Sequence, residues 1–214
     1  MLDWEKRYRD HDTPWDKGRA APPLEVALRR IPPAGRALVP GCGTGHEVRL
    51  AASLGWEAIG IDISPTAIRR AQRQPAVADE TYLTADFLQL PSALHQPFSL
   101  VLEHTCFCAL APAQRQAYFE AAARALRPGG LLLGVFFIQV TGVAPDHPPL
   151  PCAMDELLAL GESRFDPLEQ WPVTHGFPDR RDDEEWVCLW RKRDPATAGH
   201  EENRQKSQQS TCAK

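Results

Sequence analysis

Residues 38 to 45 read Leu-Val-Pro-Gly-Cys-Gly-Thr-Gly, and seventeen residues past Gly45 a second apolar run closes on Asp62. Glycine at 41 and 43 lets the backbone approach a bulky ligand, because a Cβ there would collide with it and glycine tolerates positive φ. An acid at the tip of the next strand can accept both ribose hydroxyls of a bound nucleoside. Two cofactors suit such a pair, a dinucleotide and S-adenosylmethionine. The dinucleotide fingerprint, G-x-G-x-x-G, keeps a third glycine where its helix packs on the strand and faces a pyrophosphate. Here that position is His46 and the spacing is G-x-G-x-G. A ligand without pyrophosphate fits better, which points to S-adenosylmethionine. A tight turn in some other α/β domain is the plain alternative.

Other candidate groups end other apolar runs. Asp86 could accept from an adenine amino group while the Phe87 ring packs on the base; the alternative is a helix-capping Asp beside a core Phe. Glu103 and His104 leave a very apolar run and would not be buried there without partners. Both are therefore expected to face the cofactor cleft, with a surface loop as the alternative. A thiol is only a few per cent ionised at neutral pH, so His104 is a candidate base and Glu103 a candidate for orienting its ring. Trp4 and Tyr8 share one face of a short helix, with Trp15 beyond. They either pack on the core or fold over the cofactor as a lid that offers aromatic faces to a sulfonium cation. Phe107, Phe136 and Phe137 are equally an acceptor-pocket wall or core. Cys106 and Cys108 alternate at a strand end, where cysteine behaves as a small hydrophobe, with a redox or arsenic-handling role as the alternative; no paired C-x-x-C spacing suggests a metal.

These groups need a scaffold. Arg36 to Pro40, Glu57 to Ile61, Glu80 to Ala85, Pro97 to Glu103 and Leu131 to Ile138 are apolar enough to be buried parallel strands. Between them lie helix signals: Ser64-Pro65 is a cap followed by proline at the first helical position, and Ala111 to Leu126 starts with Pro112 and stops at Arg127-Pro-Gly-Gly. Five strand and helix alternations predict a mostly parallel sheet covered on both faces, with ligands at the carboxyl ends of its strands. The proline-rich stretch Ala144 to Pro151 reads as a connection over the site, and Trp171 to Pro178 as more of its rim. Arg164 to Trp171 and Glu185 to Lys192 supply two further strands, expected as an antiparallel edge. Residues 194 to 214 hold no large apolar side chain and are expected to be disordered.

With 214 residues the chain suits a single domain. A formal net charge of -4 argues against a nucleic-acid partner. No run nears the ~20 apolar residues that span a bilayer, and the charged first ten residues are no signal peptide. A cytoplasmic monomer with reduced cysteines and a small-molecule substrate is expected.

Four motifs in order, Trp4-Glu-Lys-Arg-Tyr8, Thr13-Pro-Trp-Asp-Lys-Gly-Arg19, Leu38 to His46 and Glu103-His-Thr-Cys-Phe-Cys-Ala-Leu110, resemble the thiopurine S-methyltransferase family, closest to its halide and thiol methyltransferase branch. The resemblance spans residues 1 to about 193, with the lid at 1 to 20. It implies the class I methyltransferase fold, a Rossmann-like seven-stranded sheet, and transfer of a methyl group from S-adenosylmethionine to a small soft nucleophile such as a thiol, hydrosulfide, thiocyanate or halide. Cofactor contacts would fall on Trp4, Tyr8, Trp15, Gly41, Asp62, Asp86, Phe87 and His104, with no metal. Relatives usually have tryptophan at position 8, and at position 104 tyrosine or arginine, so the acceptor stays open. Selenium, tellurium or arsenic acceptors, and a non-catalytic cofactor-binding regulator, are the competing readings.

Overall fold

The apolar runs Arg36–Pro40 (β1), Glu57–Asp62 (β2) and Phe98–His104 (β4) are buried almost throughout, as strands covered on both faces must be. They belong to a seven-stranded sheet in the computed structural model, which describes residues 2–94, 98–138, 147–181 and 184–194. Thr81–Thr84 (β3), Leu126–Phe137 (β5), Phe165–Pro172 (β6) and Glu185–Lys192 (β7) complete it, in the order β3-β2-β1-β4-β5-β7-β6. The first five strands run parallel; β7 is antiparallel to both β5 and β6. This is the α/β class I methyltransferase arrangement. Among the described residues no helix is long and apolar enough to cross a membrane.

Among the described residues six α-helices accompany the sheet: Trp4–Arg9 (α1), Pro22–Leu28 (α2), His46–Ser53 (α3), Pro65–Gln72 (α4), Pro112–Ala125 (α5) and Met154–Gly161 (α6). Leu24, Leu28, Val48, Ala51 and Ile68 of α2 to α4 pack on one face with Val39, Leu100 and Leu102. On the other, Tyr118 and Phe119 of α5 and Leu157 of α6 meet Val101, Phe136, Phe165 and Trp190. Phe119 is fully buried and edge-on to Phe107, Phe165 and Trp190, so its loss would cost ~3–5 kcal/mol.

One expectation changes in detail. The turn read at Arg127-Pro-Gly-Gly is instead the start of β5: Leu126 pairs with Phe98, and the register shifts before Leu100 meets Leu131. Pro128 and Gly129 fit there because an irregular stretch frees proline from the ladder and accepts the positive φ of 70° at Gly129. The expected antiparallel edge is present. β7 inserts between β5 and β6, leaving β6 as the edge, with Pro167 at its own register shift. The disordered tail expected at 194 to 214 lies, past Asp194, outside the described residues.

Candidate active site

The chain runs outward from β1 to β3 and then returns to the other side of β1 at β4, so a crevice opens where strand order reverses, beyond the carboxyl ends of β1 and β4. A cavity of about 1100 Å³ occupies it. Trp4, Tyr8, Trp15, Gly41, Gly43, Asp62, Asp86, Phe87 and His104 all line this cavity, and Glu103 does not.

The glycines have a reason beyond the ligand. Gly41 and Gly43 sit at φ of 57° and 53°, and a Cβ at Gly41 would lie 2.8 Å from Cβ of Cys106. At Gly43 it would lie 2.7 Å from the Tyr8 hydroxyl. The loop is therefore glycine because protein atoms already press on it, which brings the N-terminal segment and the end of β4 to the same spot. Asp62, 7% exposed, accepts from the Gly43 amide at 3.0 Å and the Ser64 amide at 2.8 Å. Each oxygen keeps a second lone pair, as a ribose diol requires. Burial raises its carboxyl above the ordinary value. Asp86 accepts from the Leu88 amide at 2.9 Å, so it braces the turn after β3 as well as lining the cavity, and Phe87 rests on Tyr118 with ring centres 5.1 Å apart.

The N-terminal segment crosses this crevice on specific anchors. Glu5 accepts from Ser64 Oγ, Thr66 N and Thr66 Oγ1, covering the first turn of α4, and these bonds hold its carboxyl down at about 2. Trp15 Nε1 donates to Tyr8 Oη at 3.1 Å, and the Trp15 ring stands edge-on to both Trp4 and Tyr8. Asp16 meets Thr44 Oγ1 at 2.8 Å and His46 Nε2 at 2.9 Å. His46, at the position where the dinucleotide fingerprint has glycine, is thus an anchor for this segment. Lys17 reaches Asp179 on the opposite wall at 2.5 Å.

Glu103, expected to face the cofactor cleft, turns away from it. Successive strand residues face opposite sides: Leu100, Leu102 and His104 point with α2 to α4, whereas Val101 and Glu103 point with α5. Glu103 accepts from the Cys106 and Phe107 amides at 2.9 and 2.8 Å and from the Tyr118 hydroxyl. Burial, only partly offset by these bonds, raises its carboxyl to about 7. It braces the turn after β4 and cannot orient His104. That partner is Glu47 of α3, whose Oε1 lies 2.9 Å from His104 Nδ1. The other ring nitrogen, Nε2, is buried and has no hydrogen-bond partner. Glu47 was missed because 57 residues separate the pair; its place in the first turn of the helix that follows the glycine loop was the available signal.

The same alternation divides the phenylalanines. Phe137 lines the cavity, with the Arg180 guanidinium 4.7 Å from its ring centre, while Phe107 and Phe136 belong to the core. Phe177 and the Pro148–Leu150 stretch supply rim as expected; Trp171 instead packs beside Arg30, and residues 144 to 146 lie outside the described chain. Glu185 of β7 comes near His104 from the same face, 3.9 Å from Arg180 Nε. Cys42, Cys106 and Cys108 reach the cavity wall with thiols that burial holds protonated, and no group of three metal-binding side chains occurs among the described residues.

The chain is 36% identical over 139 residues to the probable thiol methyltransferase 2 of Arabidopsis thaliana, covering 63% of this chain and 61% of that protein. It thus spans about six-tenths of that relative's length. Against thiocyanate methyltransferase 1 of the same plant it is 31% identical, covering 88% and 84% of the two chains. The fold matches the 1,6-didemethyltoxoflavin-N1-methyltransferase of Burkholderia thailandensis, solved with S-adenosylhomocysteine, at a TM-score of 0.68 and 20% identity, covering 88% and 85%. The family model for thiopurine S-methyltransferase matches residues 2–166, from the N-terminal segment through Glu47, Asp62 and His104, and the chain belongs to that family.

Proposed function

We propose that this chain binds S-adenosylmethionine and transfers its methyl group to a small soft nucleophile, a thiol, hydrosulfide, thiocyanate or halide. The observation that carries this reading is one cavity lined both by Asp62 with the glycine loop and by the ring of His104, whose Nε2 has no hydrogen-bond partner. When bound, the cofactor supplies a methyl group on a positively charged sulfur. Asp62 holds the ribose hydroxyls, Asp86 and Phe87 hold the adenine, and Trp4, Tyr8 and Trp15 cover the sulfonium with aromatic faces and exclude water. Residues 1 to 20 act as a lid in this scheme. Phe137 and Phe177 give the acceptor end an apolar wall, suited to a polarizable sulfur or halide. His104 takes the proton of a thiol at Nε2; a halide or thiocyanate ion needs no base. On the same reading the enzyme is a monomer and cytoplasmic, the second of which the five free cysteines among the described residues agree with.

The test is an acceptor panel with methyl-labelled cofactor and purified protein. Thiols, hydrosulfide, thiocyanate or iodide should be methylated, and catechols and amines should not. Ready turnover of an amine or oxygen acceptor, with every soft nucleophile untouched, overturns the proposal.

A further inference from the structure

Glu47 stands on the first turn of α3 and is 9% exposed. A carboxylate so deep is costly unless donors meet it. Two do, both at Oε1: the Ala21 amide at 3.2 Å and His104 Nδ1 at 2.9 Å. Ala21 is the residue that opens α2, so its amide has a fixed direction and pins the carboxylate in place. An ionised carboxylate has no hydrogen to give, so Nδ1 must carry one. In a neutral ring Nε2 is then a bare acceptor. That Nε2 is buried without a partner, in a ring that lines the cavity, and a buried acceptor calls for a donor.

We infer that Glu47 is the positioning residue of the site, fixing the tautomer and strengthening the basicity of His104 so that Nε2 receives the proton of a thiol acceptor. The inference rests on the methyl-transfer reading above and narrows its substrate class to acceptors that must lose a proton, R–SH or hydrogen sulfide. In the step, the acceptor S–H bond breaks and its proton passes to Nε2. The freed sulfur pair forms the S–CH₃ bond as the donor C–S bond breaks, and that bond's electrons stay on the donor sulfur. The imidazolium is then paired with Glu47 until the proton leaves to water.

Other charges face the ring too. Glu185 approaches from β7, with Arg180 beside it, and Glu103 lies behind on β4. Burial alone would depress the imidazole, but Glu47 first, then Glu185 and Glu103, hold it above its ordinary value. A base raised in this way is free only above that value, so thiol methylation should climb with pH through the His104 titration.

The experiment compares wild-type protein with Glu47→Gln and Glu47→Asp. Imidazole nitrogen NMR on the cofactor-free protein reads the His104 tautomer and titration directly, whether or not any acceptor turns over. The Nδ1–H tautomer is expected, with a midpoint that falls in Glu47→Gln and recovers in part in Glu47→Asp. In the acceptor assay, Glu47→Gln should lower kcat with thiols about tenfold to a hundredfold, a share of the ~10²–10⁴ that a positioned base contributes. The thiol-to-thiocyanate rate ratio should fall with it, and the pH profile should move to lower pH. Binding of S-adenosylhomocysteine by calorimetry verifies that the variants fold. An Nε2–H tautomer in the wild type, or a His104 midpoint indifferent to Glu47→Gln, overturns the assignment. A dyad intact by NMR in a protein that methylates no soft nucleophile would instead count against the function alone.

Discussion

Replacing Asp62 by Asn separates what this side chain does for the cofactor from what it does for the fold. Both oxygens accept backbone amides, from Gly43 and Ser64, so whichever way an asparagine turns, its NH₂ confronts one N–H. That leaves one buried donor unmet, at about 1–3 kcal/mol. Against this stands the buried charge. Because burial raises the carboxyl, the ionised form is the disfavoured one in the folded chain. The penalty is absent below the unfolded carboxyl value and fully present above the raised folded value. The variant should therefore be less stable than wild type near pH 4 and regain ground as pH rises, with ~2–4 °C of Tm for each kcal/mol. Cofactor binding has no such compensation. Losing charge-assisted bonds to the ribose costs about 1.5–3 kcal/mol, a Kd for S-adenosylhomocysteine raised about 10- to 150-fold. Calorimetry at pH 7.5, with thermal scans from pH 4 to 8, measures both. An unchanged Kd in a folded variant would refute the role given to Asp62.

Glu103→Gln should leave the cavity intact and change the pH dependence of stability. With its carboxyl raised from 4.5 to about 7, wild type loses on the order of 3 kcal/mol of stability as pH climbs through that window, and the glutamine variant should show a flatter denaturation profile from pH 4.5 to 7.5. Gly43→Ala places a Cβ 2.7 Å from the Tyr8 hydroxyl at a φ of 53°; the backbone alone costs ~1–2 kcal/mol, so Tm should drop and limited proteolysis should reach the N-terminal segment sooner. Deleting residues 1 to 18 should leave a folded sheet domain that has lost most of its affinity for S-adenosylhomocysteine. A sharply lowered Tm with unaltered affinity per folded molecule would make that segment ordinary core packing.

Local signals carried much of the scaffold. β1 and β7 appear at the bounds their apolar runs suggest, and Ser64 caps α4 through the Ala67 amide. Each feature depends on a handful of neighbouring residues. Legibility ends where a property depends on a partner distant in the chain. Nothing near Glu103 announces Tyr118, whose hydroxyl claims it, and nothing near His104 announces Glu47. Yet the two-residue strand period already demanded that neighbours 103 and 104 of β4 part company, just as it separated Phe136 from Phe137 on β5. The start of β5 was hidden for a different reason: Pro128 and Gly129 resemble a loop in any window, and only the irregular pairing with β4 lets them remain in the sheet.

The anchors of the N-terminal segment have a thermodynamic consequence. Glu5 on α4, Asp16 on the glycine loop and Lys17 on Asp179 are contacts to parts of the molecule that the sheet core builds by itself. Docking of the segment and capture of a ligand beneath it are then two equilibria sharing one state. The measured affinity is the intrinsic one scaled by the fraction of molecules already docked, and by linkage a bound ligand must hold the segment down as strongly as the segment holds the ligand. A substitution at Glu5, which does not line the cavity, would weaken binding purely through that population.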